Sequence, residues 1–220
     1  MTFDIHQNVF TSDGELKETA IEYREELERL FEESPEGQAL RKEGIEPGWS
    51  RMMIGFGMDY LGVTPPQISP DALQEILFDL FPRKVSAPAE DAPEIIRELR
   101  AFWQFMQREF GLKNAAACLE VLDDDAITEM QEEMSNPENF GFAKSLVMQG
   151  LERGFDLSTE EGLNTWMATY NAEIAAGIGT PPPLNFFSPP RKKARSTGKD
   201  PEKTRRKLVR DTRKRNRRRK

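Results

Sequence analysis

Along the first 178 residues apolar side chains recur every three to four positions, the period of helices that pack one face. No stretch shows convincing alternation with the period of two expected of a half-buried strand. Leu16, Ala20, Tyr23, Leu27, Leu30 and Phe31 form a stripe on a Glu-rich segment, and Ser12 with Glu15 supplies a capping box at its start. Ser34-Pro35 opens a second, short helix, with the cap followed by proline at the first helical position, and Gly44 closes it. A third helix is predicted from about Gly48 to Leu61, carrying Trp49, Met52, Met53, Phe56, Met58 and Tyr60. Gly55 and Gly57 sit inside it at a cost of about 1 kcal/mol each relative to alanine, which points to a close helix crossing. They lack the preceding strand that a phosphate-binding glycine loop requires.

Ser69-Pro70 starts a fourth helix through Leu73, Ile76, Leu77, Leu80 and Phe81, with Pro82 ending it. A fifth runs from about Pro93 to Phe110, its apolar face Ile95, Ile96, Leu99, Phe102, Trp103, Met106 and Phe110. Arg97, Glu98, Arg100, Gln107 and Arg108 lie on its wet side, and Gly111 is its stop. Shorter helical segments follow: Asn114 to Leu122, one after Asp123-Asp124-Asp125, one from Asn136-Pro137 to Phe155, and a last one after a Ser158/Glu161 capping box, lined by Leu163, Trp166, Met167, Tyr170 and Ile174. About eight helices with short connections predict an all-α fold: a single compact multi-helix domain over residues 1–178. Residues 179–190, with Pro181-Pro182-Pro183 and Pro189-Pro190, read as an extended Pro-rich linker. Phe186 and Phe187 within it are expected either to dock on the helical domain or to serve as a partner's recognition motif.

Charge changes this picture more than composition does. A chain 37% hydrophobic and 31% charged is globular, with no membrane-spanning run. Its net charge of -7, however, is the sum of two unlike parts. Of 31 basic and 38 acidic side chains, 17 basic and three acidic ones fall between Arg191 and Lys220, giving +14; the other 190 residues hold 14 basic and 35 acidic ones, giving −21. Residues 191–220 form an Arg/Lys-rich tail with only Ala194, Leu208 and Val209 as apolar content, too little to fold alone, so a disordered or partly helical state is expected.

The candidate binding residues are the basic ones of that tail: Arg191, Lys192, Lys193 and Arg195; Arg205, Arg206, Lys207 and Arg210; Arg213, Lys214 and Arg215; and Arg217, Arg218, Arg219 and Lys220. Cations this dense bind phosphates by releasing counterions, so affinity should fall steeply with salt and discriminate sequence poorly. Arginine prevails from Arg205 on, which favours bidentate phosphate contacts, and no aromatic side chain is present for stacking on bases. RNA, DNA or a ribonucleoprotein is the expected partner of the tail, with no membrane insertion. In a nucleated cell the same clusters would direct nuclear import; otherwise a cytoplasmic location is expected, since the N-terminus has no secretory pattern and a single cysteine, Cys118, allows no internal disulfide.

Catalytic chemistry has little to work with. One histidine, His6, lies in an N-terminal segment expected to fray, and the usual triads and zinc sites need imidazole held rigidly. Cys118 sits among alanines on a helix expected to be buried. Asp123-Asp124-Asp125 lacks the twelve-residue spread of a calcium loop and reads as a helix cap. No cofactor or metal is expected, and no enzymatic activity.

Phe81-Pro82-Arg83-Lys84-Val85-Ser86, Phe102-Trp103 with Arg108-Glu109-Phe110-Gly111, the run from Asn136 to Ser145 and that from Gly154 to Gly162 resemble a group of uncharacterised bacterial all-helical proteins, some associated with a cysteine-rich metal-binding module of the SEC-C type. The resemblance spans about Leu73 to Asn171 and implies a bacterial cytoplasmic origin and a helical fold. It carries over no site, and the basic C-terminus lacks the module's cysteines. The expected function is a non-enzymatic interaction protein whose tail binds nucleic acid or ribonucleoprotein. The alternative is a protein–protein adaptor whose acidic helical body binds a basic or helical partner and is regulated by its own tail.

Overall fold

A computed structural model describes residues 3–178, with only the backbone of Phe142 and Ala143, and the described residues fall into two units that divide after Ala168. Among the described residues the fold is all-α, as expected, with one isolated antiparallel bridge between Phe10 and Leu16. The linker with Phe186 and Phe187 and the tail lie outside the described residues.

The first helix, α1 (Thr19–Glu33), begins later than its stripe suggests, and Ser12 and Glu15 do not cap it. Thr11 instead accepts from the Glu15 amide at 3.1 Å within the turn that the Phe10–Leu16 bridge closes, and Leu16 is exposed. The segment before it is anchored rather than frayed: Ile5 and Val9 are buried, and the Tyr23 hydroxyl donates to the Ile5 carbonyl at 2.9 Å. Burial also holds the Tyr23 phenol well above its ordinary pKa. Helix α2 (Pro35–Lys42) follows expectation, with the Ser34 hydroxyl accepting from Gly37 and Gly44 in the left-handed region at φ 84°.

Helix α3 (Trp49–Phe56) passes into a π-helical turn, Gly57–Leu61, and α4 (Pro70–Glu75) into another, Ile76–Leu80. The second has a visible cause. Pro82 has no amide to give the carbonyl four residues back, and the Phe81 amide bonds instead to the Ile76 carbonyl, five back. The widened turn carries the helix through the proline into α5 (Phe81–Lys84), so Pro82 does not end it as the sequence suggested. Gly57 is also explained, though not by a helix crossing: a β-carbon there would meet the Val63 carbonyl at 3.2 Å and Ile68 at 3.3 Å, where the chain folds back.

The longest helix among the described residues, α6 (Ala92–Phe110), buries Ile95, Ile96, Leu99, Phe102, Trp103 and Met106 and is the central element of the core. Around it pack α2, α3, α7 (Ala115–Val121) and α8 (Asp124–Ser135). Phe31 of α1 meets Phe102 edge-on with ring centres 5.3 Å apart. Helices α9 (Phe142–Glu152) and α10 (Glu160–Ala175) complete the series. Trp166 is buried against α9, its indole donating to the Leu146 carbonyl at 2.9 Å. The start of α10 departs from the expected box: Thr159, not Ser158, accepts from the Gly162 amide, while Ser158 bonds to Asp156 and holds that carboxyl below its ordinary pKa. Residues 169–178 of the second unit are the end of α10 and a turn with Gly177 at φ 71°.

Candidate functional site

The basic residues from Arg191 to Lys220, which carry the predicted nucleic-acid contacts, all lie outside the described residues. Of the residues singled out within the body, Asp123 caps α8, accepting from the Ala126 amide at 3.0 Å. Cys118 is fully buried, its thiol pushed up to about 12 by desolvation and pointed at the Ile68 carbonyl. An unionised, inaccessible thiol is a poor nucleophile. His6 is exposed, bonded through its own backbone amide to Asp4. Among the described residues no three His, Cys, Asp or Glu side chains gather as metal ligands, and no helix is long and apolar enough to cross a membrane.

Of three buried charged side chains among the described residues, Glu98, Glu129 and Lys144, the first and the last show what the pattern reading misses. Glu98, placed on the wet side of α6 by its spacing, is fully buried and caps α3 from fifty residues away. Its carboxylate accepts from the amides of Gly48 at 3.0 Å, Trp49 at 3.1 Å and Ser50 at 2.7 Å, three donors left open at a helix start. Lys144 on α9 is 2% exposed with no hydrogen-bond partner for its amine, which stands 4.2 Å from the centre of the Phe140 ring. Desolvation lowers its pKa. Neither was legible in sequence, because each depends on a neighbouring element closing over it.

With its N-terminus held by Glu98, α3 turns one face outward. Met52 and Tyr60 are 42% and 45% exposed, Trp49 and Phe56 partly so. Phe56 sits edge-on to Tyr60 at 5.8 Å and to the buried Phe81 at 5.4 Å, and the Lys84 ammonium lies 5.1 Å from the centre of the Tyr60 ring. Ion pairs join this face to α1: Arg24 with Asp59 at 2.5 Å and Arg51 with Glu28 at 3.3 Å. Partial burial raises the Glu28 pKa in spite of Arg51.

At least seven of the body's 14 basic side chains are engaged in internal ion pairs. Arg24, Arg29, Arg41, Arg51, Arg97, Arg100 and Arg108 each pair with a body carboxylate. Arg108 holds the Glu36 carboxyl below its ordinary pKa. Acidic residues recur on the α4 segment, at Asp71, Glu75 and Asp79, and on α8, at Asp125, Glu132 and Glu133, while Glu129 of α8 is buried; α8 packs beside the π turn that extends α4. No family model matches this chain, and no curated protein or solved structure matches it either.

Proposed function

We propose that this is a non-enzymatic interaction protein whose basic C-terminal segment, Arg191 to Lys220, binds nucleic acid or ribonucleoprotein largely without sequence specificity. The observation that carries the reading is the division of charge, +14 on 30 residues beside −21 on the other 190. The ion pairs of the body support it: with seven arginines already bonded to carboxylates, a polyanion would find its concentrated positive charge in the tail. If about eight cations met phosphates, log K would fall against log salt with a slope near −7 on duplex DNA and near −6 on single strands. The test compares the full chain with one lacking residues 191–220, by fluorescence anisotropy on RNA and DNA at several salt concentrations. Loss of binding on truncation, with the steep slope in the full chain, supports the reading; equal binding by both, or none by the full chain at low salt, overturns it.

A second reading, an adaptor whose acidic body binds a basic or helical protein and is regulated by its own tail, is favoured by the acidic residues that recur on α4 and α8. It predicts that partners survive nuclease treatment and are captured better after tail removal.

A further inference from the structure

Gly55 lies inside α3, where glycine costs about 1 kcal/mol relative to alanine, yet this chain makes no use of it. Its φ is not positive, and an added β-carbon would meet only an Asp59 carboxylate oxygen at 3.8 Å, an ordinary contact. A bare position on an outward face lets another backbone come close.

The residues around it are arranged for a particular visitor. Arg51, Gly55 and Asp59 form one row at spacing four, and Met52, Phe56 and Tyr60 form the next, the ridges by which helices interlock. The rows persist into the π turn, since an Asp59 carboxylate oxygen stands 3.8 Å from where a Gly55 β-carbon would lie and Phe56 still meets Tyr60. Arg51 and Asp59 stand four residues to either side of Gly55, opposite in sign and 64% and 42% exposed, so each can take a second partner beyond its pairing with α1.

We propose that this face is a self-association surface: a second copy of the chain docks on it, α3 antiparallel to α3 about a two-fold axis at Gly55. The axis brings Arg51 of each copy to Asp59 of the other and sets Met52 over the gap between Phe56 and Tyr60. A parallel pairing would put Arg51 on Arg51, so charge selects the antiparallel one. Ile21, 64% exposed, lies one turn before Arg24, the α1 partner of Asp59. The surface is small, so the dimer is weak, with a dissociation constant on the order of 10–100 µM.

Sedimentation equilibrium of the nuclease-treated full chain, at concentrations spanning that range, tests the proposal without depending on the tail's ligand. Arg51→Glu and Asp59→Arg should each weaken the dimer about tenfold, and an equimolar mixture of the two should recover it, because the mixed dimer restores opposite charges at both contacts. Gly55→Gln should abolish association while thermal melting shows the monomer still folded. A chain that stays monomeric throughout, association that survives Gly55→Gln, or a mixture no tighter than its components would overturn the proposal. Association lost equally on tail removal would place the contact elsewhere and overturn it too.

Discussion

Replacing Glu98 removes a bond that spans the core. In Glu98→Ala the amides of Gly48, Trp49 and Ser50 lose their acceptor in a buried setting, and α3 loses the negative charge at its positive end. Hydrogen bonds to a charged group contribute about 1.5–3 kcal/mol each, but three bonds to one carboxylate are not additive, and water can reach the half-buried Gly48 amide. The dipole adds up to about 2 kcal/mol in buried geometry. Against this stands the cost of burying the carboxylate at all, which the substitution relieves. The net loss should be about 3–4 kcal/mol, seen in urea as a lower midpoint with unchanged slope and on heating as a fall of roughly 10 °C for a chain this size. Glu98→Gln keeps one acceptor oxygen but turns an amide donor toward backbone donors, and should recover at most about half of the loss. A loss below about 1 kcal/mol for Glu98→Ala would refute the reasoning, since the carboxylate would then merely exchange water for amides.

Lys144→Met should stabilise the protein by about 1 kcal/mol near pH 7, as it removes an amine buried without a hydrogen bond. The sign with pH follows from the lowered pKa: between the folded value and the ordinary 10.5 the unfolded chain binds more protons, so wild-type stability rises with pH. The advantage of Met should therefore shrink toward pH 10.5 in urea titrations, and an advantage independent of pH would contradict it. Asp123→Ala should cost about 1 kcal/mol through loss of the α8 cap, whereas Ser12→Ala, at a site that caps nothing, should stay within about 0.5 kcal/mol by the same measurement. Cys118 should resist a thiol reagent such as Ellman's in the native protein and react fully in denaturant; rapid native reaction would show that its helix opens readily.

Local information sufficed where a feature rests on contiguous residues. The helical period, the Ser34-Pro35 and Ser69-Pro70 starts, the Asp123 cap and the glycine stops at Gly44 and Gly111 need only a turn or two of chain, and the structure contains each of them. The division of charge at Pro190 is likewise a property of order along the chain, and the proposed function stands on it. Capping boxes failed at Ser12 and Ser158 because a competing local bond was available, to Thr11 in one case and to Asp156 in the other. What only tertiary structure decided was which faces are covered. Glu98 and Arg97 are neighbours on a helix, yet one is sealed against α3 while the other is half exposed beside Glu43. Met52 and Met53 differ by one position, and one faces solvent while the other is in the core. The burial of a charge or the exposure of an aromatic row depends on elements tens of residues away, and no period along one helix records what will pack upon it.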